Sequence, residues 1–124
     1  MKTVEVAAIG VGWVGGTRVE TLSRTALVDK LHICDIKPER LAELKARYKP
    51  ATATLDYQDI IKNDNISVVL ISTTPETNHY PSARDCLKAG KHVMREKPIA
   101  LEVWEADELV MLAKRINLEV TIGY

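Results

Sequence analysis

The strongest constraint on how this chain folds is an alternation of short apolar runs with longer amphipathic segments, which continues along the whole sequence. The apolar runs have the length of strands, and the segments between them have the length and spacing of helices. Such an alternation is typical of a parallel sheet whose strands are joined by crossover helices. The predicted strands cover residues 3–9, 30–34, 51–54 (a weak candidate), 67–72, 91–95 and 118–122.

The composition of the predicted strands indicates that helices cover both faces of the sheet. The run Val68-Val69-Leu70-Ile71 is continuously apolar rather than alternating, as expected for a strand buried on both sides. Pro38 stands where a helix can begin, and Gly90 stands where one can end. Six strands with right-handed crossovers predict an α/β protein with a doubly wound parallel sheet, the Rossmann fold, in the strand order 3-2-1-4-5-6.

Length and charge narrow the class of protein. The 124 residues fit one domain, and 17 basic against 17 acidic residues leave no net charge, which argues against nucleic acid or membrane partners. No apolar run reaches the ~18 residues of a membrane span, and the start of the chain lacks the apolar region of a signal peptide. Cys34 and Cys86 lack the spacing of a metal or redox site. We therefore expect two reduced thiols, no metal and a cytoplasmic location.

A glycine-rich turn follows the first predicted strand and opens the first predicted helix. It reads Gly10-Val11-Gly12-Trp13-Val14-Gly15, and Asp35 ends the second predicted strand 20 residues later, as a dinucleotide-binding fingerprint requires. Glycine lets the backbone approach a pyrophosphate, whose charge is stabilised by the free N–H groups and the dipole of the helix start. The alternative is an ordinary tight turn, with Asp35 as a helix cap ahead of Pro38. The coincidence of turn, acid and order favours a dinucleotide.

The Asp35 carboxylate also bears on the choice of cofactor. It would accept hydrogen bonds from the adenosine ribose, and it would repel the 2′-phosphate of NADP. NAD is therefore the predicted cofactor, and NADP is the alternative because Lys37 and Arg40 follow closely enough to reach a phosphate. The other interpretation of these two cations is that they are solvated surface charges. For Trp13 two roles weigh equally, covering the cofactor or packing against a neighbouring loop.

A second group of candidate residues follows the fourth predicted strand, in the segment from Ser72 to Pro81. Pro81 is tolerated only in the first turn of a helix, which predicts a helix start near Asn78 and a loop before it. The loop lies at the carboxyl edge beside the first strand, where ligands bind in doubly wound sheets. The alternative is that its polar residues only satisfy loop backbone and that His79 only packs.

A third group, Arg95-Glu96-Lys97-Pro98, leaves the fifth predicted strand at the same edge. Taken with the glycine turn, Asp35, the pairing of Thr74-Pro75 with His79, and the segment 89–93, it makes the chain resemble the N-terminal domain of the Gfo/Idh/MocA dehydrogenases. The resemblance spans nearly the whole chain. Several spaced motifs in order are more specific than any one of them.

The resemblance implies an oxidoreductase that transfers hydride between NAD(P) and a sugar, inositol or related alcohol. It implies that Lys97 is catalytic, orienting the substrate hydroxyl and relaying its proton, and that Glu96 lies near the nicotinamide ribose. By position alone, Lys97 would be taken for a solvent-facing charge. The predicted cofactor-binding residues are Gly10, Val11, Gly12, Trp13, Val14, Gly15, Asp35, Ile36, Ser72, Thr73, Thr74, Pro75, His79, Glu96 and Lys97.

The resemblance also implies a second domain. Members of the family continue past the position of Gly123-Tyr124 into an open sheet that supplies the substrate pocket, a further catalytic histidine and an oligomer interface. We therefore expect residues 1–124 to be the dinucleotide-binding domain alone, with little turnover and an apolar surface through which it self-associates. Two alternatives stay open. One is a nucleotide-binding regulatory module, and the other is an S-adenosylmethionine methyltransferase, in which Glu96-Lys97-Pro98 would have no explanation.

Overall fold

The computed structural model describes residues 3–72, 79–96, 103–118 and 120–123, and these residues form a six-stranded parallel sheet with helices between the strands. The sheet order is β3-β2-β1-β4-β5-β6, so the structure has the predicted fold class and the predicted order. The strands are β1 (Val4–Ile9), β2 (Val28–Cys34), β3 (Thr52–Thr54), β4 (Ile66–Ile71), β5 (His92–Glu96) and β6 (Val120–Gly123).

Five helices connect these strands. They are α1 (Trp13–Ser23), α2 (Pro38–Tyr48), α3 (Gln58–Lys62), α4 (His79–Lys88) and α5 (Val103–Arg115). The predicted start at Pro38 is confirmed, with proline in the first turn of α2. The start of α4 at His79 agrees with the prediction from Pro81, while Asn78 itself lies outside the described residues.

The strand bounds differ from the sequence predictions by one or two residues, and one helix was not predicted. Strand β2 begins two residues earlier than predicted. The sequence does not show this start, because Asp29 and Lys30 are exposed and interrupt the apolar pattern that marks the buried half of the strand. Helix α3 was not predicted, since a helix of five residues is too short to show a periodicity. Its start is fixed by a local contact instead, in which the Gln58 N–H donates to Asp56 Oδ1 at 2.9 Å.

The central strand β1 is buried on both faces, as the continuous apolar pattern predicted. Ala7 and Ile9 pack into one apolar cluster, and Ala8 packs into a second cluster on the opposite face. The first cluster includes side chains from α4 and α5, and the second includes side chains from α1 and α2. The two layers therefore hold β1 in place from both sides, and with it the glycine turn at its carboxyl end. Within the described ranges, we find no helix with the length and apolarity needed to cross a bilayer.

A buried lysine joins the start of β5 to the loop before β4. Lys91 is only 1% exposed, and its Nζ donates to the carbonyl oxygens of Asn63 at 2.7 Å and Ile66 at 2.9 Å. Burial lowers the pKa of this ammonium. The two carbonyls offset part of the free-energy cost of burying the charge. Without the lysine, both carbonyls would lose this hydrogen-bond donor.

We expect Lys91→Met to lower the free energy of unfolding by about 2 kcal/mol, because two buried carbonyls then lose a charged donor. Urea denaturation measures this change. The exposed Lys88, three residues earlier on α4, supplies the matched control, and Lys88→Met should change stability by less than about 0.5 kcal/mol. Equal effects of the two substitutions would contradict the role assigned to Lys91.

Candidate functional site

A cleft of about 410 Å³ opens at the carboxyl ends of β1, β2 and β4. The strand order reverses between β1 and β4, which is where ligands bind in open α/β sheets. The lining brings together five residues that the sequence analysis predicted as cofactor contacts, namely Gly10, Gly12, Asp35, Ile36 and Ser72. The other lining residues are Ile9, Cys34, Lys37, Arg40, Leu55, Asp56, Tyr57, Pro81 and Ser82.

The glycine turn forms the floor of this cleft. Gly10 has a φ of 85°, a conformation that favours glycine, and its N–H donates to the Cys34 carbonyl at 2.8 Å. Gly12 is the N-cap of α1 and has no side-chain cap. Among the described residues, a Cβ built on Gly12 would meet no atom within 4 Å. Packing within the protein therefore does not require glycine at position 12, whereas a ligand lying against this backbone would.

Asp35 ties the end of β2 to the glycine turn. Its Oδ2 accepts a hydrogen bond from the Val11 N–H at 2.9 Å, and its Oδ1 accepts one from the Lys37 N–H at 2.9 Å. The second contact lies just before α2, but it does not cap the helix, because the N-cap residue is Lys37 and α2 has no side-chain cap. Each carboxylate oxygen has a further acceptor site, so Asp35 can still bind the hydroxyl groups of a ribose.

Arg40 also contacts the glycine turn. It binds the carbonyl end of Val11, whereas Asp35 binds the N–H end. Its Nε donates to the Val11 carbonyl at 2.6 Å, and its Nη2 donates to the Gly12 carbonyl at 3.1 Å. The interpretation of Arg40 as a solvated surface charge is therefore wrong. Sequence reasoning missed these contacts because they join residues 28 and 29 positions apart, and no local periodicity reports them.

Apolar side chains flank the far side of the cleft. Ile36 is 77% exposed and Leu55 is 52% exposed, and both line the cleft. Leu55 and Tyr57 are site residues that the sequence analysis missed, because they follow the weakest predicted strand and have no motif of their own.

The Tyr57 hydroxyl links the cleft wall to α4. It donates to Asp85 Oδ2 at 2.8 Å. Burial and this hydrogen bond raise the pKa of Tyr57 to about 12. The phenol therefore stays protonated at neutral pH and acts as a fixed donor between the α3 region and α4.

The two cysteines do not supply a nucleophile. Burial, with a further contribution from Asp35, raises the pKa of the Cys34 thiol to about 12. Burial raises the pKa of the Cys86 thiol to about 12 as well. Both are free and buried, so the thiolate form is absent at neutral pH.

The remaining predicted residues are described only in part. Ser72 lines the cleft, and its N–H donates to the Ile9 carbonyl at 2.8 Å. His79 is the first residue of α4, and Glu96 is the last residue of β5. The backbone of α1 includes the three predicted residues Trp13, Val14 and Gly15. The predicted residues outside the described ranges are Thr73, Thr74, Pro75 and Lys97.

Comparison with known proteins decides the family. A model described as an oxidoreductase family with an NAD-binding Rossmann fold matches residues 4–124. The chain belongs to the Gfo/Idh/MocA oxidoreductase family. An inositol 2-dehydrogenase/D-chiro-inositol 3-dehydrogenase of Lactiplantibacillus plantarum is 32% identical over 115 residues, which is 91% of this chain and 33% of that protein.

Two further relatives extend the comparison. A glycosyl hydrolase family 109 protein of Shewanella sp. (strain ANA-3) is 38% identical over 93% of this chain and 27% of its own length. Among solved structures, GenD2 from gentamicin A biosynthesis, in complex with NAD, has a TM-score of 0.92 and 26% identity, over 99% of this chain and 35% of that one. The chain therefore spans 27% to 35% of the length of these relatives.

Family membership confirms the predicted cofactor, NAD. The glycine turn at the start of α1, the Asp35 carboxylate and the cleft between them are the features of this chain that fit a dinucleotide. The family match also favours an oxidoreductase domain over the methyltransferase alternative.

We expect Asp35→Ala to weaken NADH binding about tenfold, because the ribose loses a charged acceptor. NADPH binding should weaken less, since the 2′-phosphate no longer faces a carboxylate. Fluorescence titration with both cofactors measures the two affinities. Asp29→Ala is the matched control, because Asp29 is exposed near the amino end of the same strand. An unchanged ratio of the two affinities in Asp35→Ala would contradict the role of this residue.

Proposed function

We propose that this chain is the cofactor half of a dehydrogenase that transfers hydride between NAD and a polyol, sugar or inositol. The observation that carries the proposal is the cleft built from the glycine turn and Asp35 at the strand-order reversal, in a chain that belongs to an NAD-binding oxidoreductase family. The similarity to inositol 2-dehydrogenases supports a polyol as substrate.

We assign the cofactor to the cleft in two parts. The pyrophosphate lies at the start of α1, where the backbone at Gly12 is open to a ligand. The adenosine ribose binds Asp35, and the adenine ring lies against Ile36 and Leu55. The nicotinamide half of the site is proposed for the residues after β4 and β5, namely Ser72, Thr73, Thr74, Pro75, His79, Glu96 and Lys97.

We propose that the substrate pocket belongs to a second domain. The support is the length of the relatives, of which this chain matches about one third. Hydride transfer needs donor and acceptor held in near-attack geometry, and much of the rate comes from that positioning. The 124-residue chain alone should therefore bind NAD while turning over slowly.

Titration of the purified chain with NADH, NADPH and S-adenosylmethionine tests the proposed cofactor site. We expect binding in that order of decreasing affinity, and no binding of NADH by Gly12→Val, because a side chain at this open position takes the place of the pyrophosphate. Circular dichroism should show that Gly12→Val is folded, since a Cβ there meets no atom of the part of the chain that the structure describes. Normal NADH binding by this variant would show that the turn is only structural.

Lys97 is the residue we propose for the chemistry. In the chain joined to its second domain, Lys97→Ala should lower the rate of hydride transfer by about a hundredfold, the scale of general acid–base assistance, while NAD affinity changes little. Lys114→Ala, an exposed lysine on α5, is the control and should leave the rate unchanged. A parallel loss of NAD affinity and rate would assign Lys97 to cofactor binding instead.

Assays on the chain joined to its second domain also test two other functions. Glycoside cleavage is the second candidate, because relatives named glycosyl hydrolase family 109 protein and alpha-N-acetylgalactosaminidase are 38% and 36% identical to this chain. Release of nitrophenol from a nitrophenyl N-acetylgalactosaminide, with no net reduction of NAD, would favour it. Tight NADH binding with neither activity would favour the regulatory module.

We also propose that the chain self-associates through α5. Trp104 is 58% exposed and Met111 is 61% exposed, and their spacing of seven residues places them on one face of the helix. Acidic residues lie in the first half of α5 and basic residues, Lys114 and Arg115, in its last turn. Two copies packed with antiparallel α5 helices would pair these charges and cover the apolar side chains.

Sedimentation velocity tests this surface. We expect the unmodified chain to form dimers at micromolar concentration and Met111→Glu to stay monomeric, because a charge would be buried in the contact. Leu27→Glu changes another exposed apolar residue away from α5 and should leave the dimer intact. A monomeric unmodified chain would contradict the proposal.

A cytoplasmic location is proposed as well, on the support of the two free buried thiols.

A further inference from the structure

The two contacts of Arg40 with the glycine turn fix more than the turn's position. A peptide unit is planar, so a carbonyl and the N–H of the following residue point in opposite directions. Arg40 holds the carbonyls of Val11 and Gly12. It thereby helps to fix the direction of the N–H groups of residues 12 and 13, which belong to the same two peptide planes. The Gly12 carbonyl also accepts the Gly16 N–H at 2.8 Å, whereas Arg40 holds the Val11 carbonyl from outside the helix. The N–H groups of residues 12 and 13 are among the donors left free at the start of a helix.

We propose that Arg40 is a positioning residue for the pyrophosphate of NAD, acting through the backbone of the glycine turn. The inference rests on the NAD site assigned above. The residue does not bind the phosphate itself; it holds two peptide units so that their N–H groups stay aligned as anion donors. Asp35 fixes the neighbouring peptide unit through the Val11 N–H. Two charged side chains thus hold Val11 from opposite ends.

The chemistry of the side chain suits this role. Nε and Nη2 lie in one rigid plane, so a guanidinium can reach two carbonyls at once, whereas an ammonium is a single compact charge. Glu43 holds the third nitrogen, with Nη1 at 3.1 Å from Glu43 Oε1. Moving Arg40 to a 2′-phosphate would break both bonds to the turn. Its position therefore favours a role in the turn over a role in binding NADP.

Gly16 supplies independent support. A Cβ built on Gly16 would collide with Arg40 Nη2, while the next nearest atoms, Arg40 Cζ and the Val11 carbonyl oxygen, would lie at an acceptable 3.5 Å. Glycine at this helical position therefore leaves room for the arginine side chain, and the backbone itself would accept a Cβ. Alanine favours a helix over glycine, so Gly16→Ala should displace Arg40 without weakening α1.

The experiment compares a ligand that contains the pyrophosphate with one that lacks it. We expect Arg40→Ala to weaken ADP-ribose binding about tenfold, the scale of a lost charge-assisted contact, and to change adenosine binding less than about twofold. Nuclear magnetic resonance titration of the 124-residue chain measures both affinities. Arg47→Ala is the matched control, because Arg47 is an exposed arginine on the same helix and contacts the Tyr48 ring.

A double-mutant cycle separates positioning from a general loss of structure. Gly16→Ala alone should weaken ADP-ribose binding, and it should have no further effect in the Arg40→Ala background, because the side chain it displaces is gone. Arg40→Lys should restore only part of the affinity. If Arg40→Ala does not fold, Gly16→Ala with its selective loss of ADP-ribose binding decides the question alone.

Three results would overturn the inference. One is unchanged ADP-ribose binding in Arg40→Ala. Another is an equal loss of adenosine and ADP-ribose binding, and the third is full additivity of the two substitutions. If the unmodified chain binds neither ligand, the NAD site itself is wrong and the inference fails with it, whereas normal binding by both the unmodified chain and Arg40→Ala removes only the role of Arg40.

Discussion

The peptide units around Val11 are the point on which the site depends. Asp35 holds the Val11 N–H and Arg40 holds its carbonyl, and both side chains come from the segment that follows β2. The sheet makes this contact inevitable, because Ile9 pairs with Cys34 in register and the Gly10 N–H continues that pairing to the Cys34 carbonyl. The ends of β1 and β2 therefore leave the sheet side by side. Glycine leaves the backbone of the turn conformationally free, and the charged residues of the segment after β2 fix its conformation.

The position of β1 makes that arrangement rigid. It pairs with β2 on one side and with β4 on the other, and helices cover both of its faces. Displacing the turn would require moving a strand that is packed on four sides, which a close-packed core resists. A preformed cleft of this kind spends little binding energy on ordering the protein, so contacts made by the dinucleotide count more fully toward its affinity.

The parts predicted from sequence are those that local patterns determine. Continuous apolar runs predicted the strands, Pro38 and Pro81 predicted helix starts, and the spacing of Asp35 from the glycine turn predicted the ribose acid. Contacts made only by the tertiary fold escaped this reasoning. Arg40 reaches across 28 residues to the glycine turn, and Leu55 lines the cleft although no motif marks it.

The preference for NAD over NADP that we propose rests on how the charges of the cleft are arranged rather than on their number. Lys37 and Arg40 carry two positive charges against the one negative charge of Asp35, so a simple count would permit a 2′-phosphate. The guanidinium, however, is committed to two backbone carbonyls and to Glu43, while the Asp35 carboxylate keeps acceptor capacity toward the ribose. A phosphate added there would meet an acid that can accept but not donate, and it would gain the arginine only by releasing the turn. We infer that discrimination comes from using the Arg40 cation as a structural support.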